Sequence, residues 1–386
     1  MRRNSWCVGV ALLLAWPCTA IADEATQTDP VMKALLDELQ RTPQLAVPGA
    51  PAPYYVALRV ADSHVFEVEA TFGALVVSQG FPDRRLFADV RVGSYEHDNG
   101  NFEPDRAWSD YFDQSRTTLP FENDYDAVRR GAWLASDAGY KAALRALGQK
   151  VAVQTREQTS PDRGASFSHE PETQTIDART VPPMDRARFE QLAKDLSAVG
   201  RSSAHLDTAV ASVSGATGRR LFVSTEGSRV IEPRARLQLS VVLRTQADDG
   251  MQLAHFLVLG ACKAERLPAD GVLQATIQHI AQQLEQVRQA PLAEDYTGPV
   301  LFEGIAAPQL ISELLADEVS GTPPEQSADG SPSRPDSQLS SQLGQRIFPT
   351  GYTLVDDPTI DHLGQTPLAG CYAVDDEGVT AQKVTL

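Results

Sequence analysis

Arg229-Val230-Ile231-Glu232-Pro233-Arg234-Ala235-Arg236-Leu237-Gln238-Leu239-Ser240-Val241-Val242-Leu243-Arg244 alternates apolar and polar side chains over most of its length. A period of two puts one set of side chains on each face of a strand, so this stretch reads as β-structure with one buried side. Residues 209–213 and 220–224 before it, and 252–260 after it, alternate in the same way. Gly227 and Gly250 stand at the tight connections, and together these runs predict an antiparallel meander.

A first meander is predicted upstream, over residues 54–60, 65–72, 75–78 and 86–92, after the Pro-rich linker at 48–53. Helical spacing appears elsewhere. Asp29 with Pro30 opens a short amphipathic helix carrying Val31, Leu35, Leu36 and Leu39. Residues 124–151 follow with a break expected near Gly139, then 184–199, 271–287, and 306–315 behind a short strand at 299–302. The polar stretches 155–180 and 322–343 lack periodicity and read as loops. Strands and helices in separate runs predict an α+β fold, with antiparallel sheets and flanking helices over 23–290. Pro291 marks the expected boundary, and residues 291–386 are read as the first part of a β-rich C-terminal domain.

Arg2 and Arg3, an apolar run from Cys7 to Trp16, and Ala20-Ile21-Ala22 form the three parts of a signal peptide over residues 1–22. The run is shorter than the roughly 20 residues of a membrane-spanning helix, so no span is expected after cleavage, and a periplasmic or secreted location follows. Cys262 and Cys371 are then the only cysteines left. Their separation across apparent domains points to two buried thiols, with one disulfide left open. The formal charge of -17 becomes more negative once the two arginines are removed. That balance excludes nucleic acid and anionic membranes as partners.

Several separated segments resemble the TldD/PmbA family, and the resemblance spans nearly the whole mature chain. They are Tyr296-Thr297-Gly298-Pro299-Val300-Leu301-Phe302-Glu303-Gly304 with Ala306-Ala307, Leu343-Gly344-Gln345-Arg346, Val355-Asp356-Asp357-Pro358-Thr359 and Asp375-Asp376-Glu377-Gly378. Ser136 to Ala143, Ser224 to Ser228 and Asp249-Gly250-Met251 add support. The resemblance implies an N-terminal α/β domain followed by a protease-like C-terminal domain. In active relatives the helix after the Gly-Pro-Val strand carries His-Glu-x-x-x-His, and a later cysteine completes a zinc site. Two imidazoles then hold the ion, and the glutamate takes a proton from its bound water.

Here the corresponding helix reads Ile311-Ser312-Glu313-Leu314-Leu315-Ala316-Asp317. Ser312 and Asp317 occupy the two histidine positions, and only Glu313 matches. A hydroxyl and one carboxylate are poor substitutes for two imidazoles, so no zinc or other cofactor is expected in this chain, although zinc is expected in catalytic relatives. Cys371 lies before the Asp-Asp-Glu-Gly segment and does not match the distal ligand. The sequence stops at Leu386, earlier than relatives, which suggests either a fragment or a chain completed by another polypeptide.

The expectation is therefore an inactivated metallopeptidase homologue, serving as the non-catalytic subunit beside a homologous zinc-bearing partner in proteolysis or peptide maturation. The alternatives are an active zinc metallopeptidase with unusual ligands and a non-enzymatic envelope protein that binds peptides. Seven scattered histidines offer no ligand pair at short spacing. His169-Glu170 is followed by Pro171 and reads as loop. The acidic runs at 356–357 and 375–377 could take a hard cation, but beside Pro358 and Gly378 they read as turns. Ser224 to Ser228 lacks a nucleophile elbow and reads as a strand-to-strand turn.

Overall fold

The computed structural model describes residues 28–105, 115–158, 164–177, 179–292, 295–319 and 321–386. The expected signal peptide lies outside the described residues. In chain order the elements are helix α1 (Pro30–Arg41), β1 (Pro53–Thr71), β2 (Ala74–Val92), β3 (Phe102–Glu103), β4 (Arg116–Thr118), α2 (Tyr125–Glu157), β5 (Gln174–Ile176) and α3 (Arg186–Ser197). Then come β6 (Leu206–Ser224), β7 (Arg229–Gln246), β8 (Gln252–Ala261), α4 (Asp270–Arg288) and α5 (Ala306–Leu315). Residues beyond α5 contribute only two-residue strands, β9 (Gln326–Ser327), β10 (Val355–Asp356), β11 (His362–Leu363), β12 (Thr366–Pro367) and β13 (Val384–Thr385). The fold is α+β, as expected.

The two expected meanders are one sheet. Its order is β4-β2-β1-β6-β7-β5, with β8 also on β7, because β1 pairs antiparallel with β6 from Ala57↔Ser224 to Thr71↔Val210. The strands are also longer than the alternation suggests. Four short upstream runs become a single hairpin of two 19-residue strands, and the pair 209–213 and 220–224 becomes one strand. Polar residues inside these strands are satisfied there. Arg84 donates to the Asp62 carboxylate at 3.0 Å, to Asn123 at 2.8 Å and to the carbonyls of Pro120 and Glu122. A buried guanidinium whose two terminal nitrogens are both engaged lets the backbone run straight past an Asp that reads as punctuation. Pro82 is tolerated because β4 covers only Arg85 to Phe87, leaving it on an open edge.

All four long helices lie on one face. Val56, Leu58 and Val60 share parity with Phe66, Val68 and Ala70 on β1, as Leu221 and Val223 do with Ala209, Ala211 and Val213 on β6. The first set packs under α1 and α2, the second under α3 and α4, so two apolar clusters lie end to end on the same side of the sheet. Asp29 caps α1 by accepting from Val31 and Met32 at 2.9 and 3.0 Å, and Asp124 caps α2. The expected break at Gly139 is absent. A Cβ there would stand 2.9 Å from Val90 Cγ2, so the glycine lets an unbroken helix approach the sheet. Among the described residues no helix is long and apolar enough to cross a membrane.

Two further expectations are corrected. Residues 299–302 form no strand. Cys262 and Cys371 are joined in a disulfide rather than lying as separate thiols. Segment 358–381 folds back on the end of β8, where the Cys262 N–H donates to the Leu368 carbonyl, and this brings together two cysteines 109 residues apart.

Candidate functional site

Helix α5 is the helix predicted to carry the degenerate motif, with the predicted bounds 306–315. None of its side chains is buried, and Ser312 and Glu313 face solvent. The helix ends at Leu315, so Asp317 lies beyond it in the following turn rather than one helical step from Ser312. The donors here are one hydroxyl and two exposed carboxylates, which do not fit a zinc ion that takes imidazole or thiolate. Among the described residues no three or more of His, Cys, Asp and Glu gather in a way that could hold a metal.

The other singled-out motifs are turns. Gly227 has φ +101°, and the Ser224 N–H donates to the Ser228 carbonyl across a strand-to-strand connection. Asp357 accepts from the Thr359 hydroxyl and N–H, which holds its carboxyl below the usual range. His169 lies in a loop, exposed, stacked 3.9 Å from the Tyr95 ring, with Nδ1 3.0 Å from Glu226. Burial, followed by the hydrogen bond to Glu226, pushes the Tyr95 phenol up to about 12.

Asp375-Asp376-Glu377-Gly378 is a tight turn docked on the sheet face that carries no helix. Asp375 Oδ1 accepts from the N–H groups of Glu377 and Val379 at 2.9 and 2.8 Å. Gly378, at φ +88°, sits where a Cβ would be 2.4 Å from the Phe222 ring. Val374 packs into a small cluster with Tyr55, Ala57, Phe222 and Val230. Arg220 donates to the carbonyls of Val374 and Asp375 at 2.5 and 2.6 Å and reaches the Asp376 carboxylate at 3.1 Å. Arg59 reaches the other Asp376 oxygen at 3.2 Å. Burial, and then the neighbouring Arg234, lower the Arg220 pKa. Burial, and then Asp375, hold the Glu377 carboxyl above its ordinary value.

This turn borders a groove of about 1290 Å³ running across the open face between the sheet and segment 358–381. Nine Arg and Lys residues line it against five Asp and Glu, so its sign is opposite to that of the whole chain. Arg59 and Arg116 both lie over the Phe87 ring, at 4.9 and 5.2 Å. Sequence reading missed this feature. Its arginines come from distant strands, and the alternation on each strand was the only local sign that they share a face.

The PmbA/TldA metallopeptidase C-terminal domain matches residues 295–386 by sequence. No curated protein matches the chain. A protein from Thermotoga maritima, described as a candidate modulator of a DNA gyrase, has a similar structure with TM-score 0.56 at 10% identity, over 92% of this chain and 67% of that one. A similarly described protein from Bacteroides thetaiotaomicron gives 0.50 at 10% identity, over 91% and 69%. TldE from Thermococcus kodakarensis gives 0.49 at 12%, over 92% and 67%. At these identities the first two likenesses are likenesses of fold.

Proposed function

We propose, from the sequence match of residues 295–386 to the PmbA/TldA metallopeptidase C-terminal domain and the likeness of fold over most of the chain, that this is a non-catalytic metallopeptidase homologue of the TldD/PmbA type. It acts beside a homologous subunit that carries the zinc, in proteolysis or peptide maturation. The observation that carries this reading is the donor set at Ser312, Glu313 and Asp317. Hydroxyl and carboxylate stand where active relatives have imidazoles, so no water can be primed by an ion held there. Glu313 keeps the position of the general base, but on an exposed helix it has nothing to activate. The reading includes export by the peptide at residues 1–22, which N-terminal sequencing of the mature protein would test.

Metal analysis and a peptidase assay of the purified chain, alone and with a histidine-bearing homologue, test the proposal. The expected result is no stoichiometric zinc and no cleavage alone, and chelator-sensitive cleavage in the pair. One firmly held zinc per chain, with chelator-sensitive cleavage by the chain alone, overturns it.

A further inference from the structure

We infer that the arginine-lined groove is a binding site for an extended acidic peptide segment. The inference stands on the groove itself and not on the absence of zinc or on any partner subunit.

The groove already holds a carboxylate. Asp376 is clamped between Arg59 and Arg220 at 3.2 and 3.1 Å, yet its side chain remains 67% exposed. The chain's own acidic turn therefore occupies one end and leaves the rest open. Further along, Arg234 is partly exposed on one side of the floor, and Arg85 is exposed on the other. Arg236 is exposed and has no ion-pair partner among the described residues. The floor also has unmet hydrogen-bonding capacity. Arg220 is 3% exposed and Glu232 5%, and Arg220 Nε and Glu232 Oε2 are buried without a partner among the described residues. A buried N–H of this kind costs free energy until an acceptor or water reaches it.

A second feature suits an extended chain. On the side of β7 away from β6, β5 pairs only Arg229 to Ile231 and β8 pairs only Leu237 to Gln246. Residues 232–236 between them have a strand neighbour on the β6 side alone among the described residues, and all five line the groove. This gap holds Arg234 and Arg236, and although Pro233 has no N–H to donate, an added strand there gains main-chain bonds from the other residues and its alternate side chains meet cations. The volume exceeds the roughly 300–1,000 Å³ typical of small-molecule sites, which also favours a peptide.

Charge chooses the kind of polymer. Asp62, Asp177, Glu232 and Asp361 break the lining into separate cationic pockets. Spaced carboxylates fit such pockets, and an unbroken run of phosphates does not.

Fluorescence anisotropy of labelled eight-residue peptides on the full chain tests this. An alternating Glu/Ala peptide is expected to bind at least about tenfold more tightly than its Gln/Ala counterpart, and to weaken as salt rises. R85Q/R236Q, which changes two exposed side chains, should weaken the Glu peptide by about tenfold with an unchanged thermal midpoint, while R188Q on α3 should leave binding unaltered. Equal binding of the two peptides, indifference to R85Q/R236Q, an equal loss in R188Q, or tighter binding of an eight-nucleotide DNA strand would each overturn the inference.

Discussion

Residues 28–292 and residues 295–386 are held in place by different forces. The first region buries two apolar clusters under helices on one face of a long sheet. In the second, Val374 and the prolines Pro358 and Pro367 are the buried apolar side chains among the described residues, and Leu343, Leu363 and Leu386 are all exposed. Apart from Val374 in its small cluster and Ala328 against Phe102, Ala146 and Val153, what fastens the second region to the first is polar or covalent: Arg220 on the carbonyls of Val374 and Asp375, Lys263 and Arg266 on Asp361, and the disulfide between Cys262 and Cys371. The likeness by sequence lies in the region with least core. A segment can keep its turn residues and its arginine partners with almost no apolar burial of its own.

The contrast breaks most sharply on paired truncations. Leu239, fully buried among strands and helices, should cost about 3–4 kcal/mol when changed to alanine, as the lost transfer energy and the residual cavity add. Leu363→Ala, 70% exposed, should cost less than about 0.5 kcal/mol. Denaturant melts of the two variants decide the matter, and similar midpoints would mean that the second region has a core of its own.

Cys262→Ala/Cys371→Ala should come next. Closing a loop of 109 residues restricts the unfolded chain by an amount that loop-entropy arguments place near 4–5 kcal/mol, with measured effects nearer 2–4. The difference between regions lies in where the loss appears. Limited proteolysis should release fragments cut within 321–386 while the sheet domain stays intact. Uniform digestion of both regions would mean that they unfold as one unit.

How far these ties can be read from sequence depends on their range. Helix α1 follows from a cap, a proline and the 3.6 period, all of which are local, and both it and helix α5 appear within a few residues of the expected bounds. The long hairpin did not, because Asp62, Pro82 and Asp83 look like breaks until Arg84 is seen to neutralise Asp62 and the open edge to spare Pro82. The joining of β1 to β6 spans about 150 residues and leaves no local trace. The same is true of the disulfide and of the groove, whose positive sign is hidden inside a strongly acidic chain. Ser312, Glu313 and Asp317 could be found only through resemblance, since as bare residues they describe an ordinary exposed helix end.

A smaller effect is expected at the docked turn. Gly378 is at φ +88° and faces the Phe222 ring, so Gly378→Ala combines backbone strain with a steric clash. About 1–2 kcal/mol should be lost, because exposed segments shift to relieve part of the overlap. Gly364→Ala, at φ +61° with open space around it, carries strain alone and should cost less. Thermal melts that rank the two in the opposite order would show that the turn is not seated on the sheet.

The mildest test uses pH. Asp361 accepts from Lys263 at 2.8 Å, His362 at 2.7 Å and Arg266 at 3.0 Å, and these hydrogen bonds, that from Lys263 foremost, hold its carboxyl well below the ordinary range. A depressed carboxyl binds fewer protons in the folded state than in the unfolded one, so stability rises with pH through this window. The contribution is complete above about 3.9, the usual Asp value, and disappears as pH falls through the lower folded value. Every group facing Asp361 here is basic, so no neighbouring carboxylate reverses the sign. Other lowered carboxyls, such as Asp37 and Asp357, titrate in the same window, and only the difference between wild type and Asp361→Asn isolates this one. The difference between the two proteins in the pepsin resistance of residues 355–386 should be full at pH 4 and clearly smaller at pH 2. A difference that persists unchanged at pH 2 would assign the effect to packing of the side chain instead of to its charge.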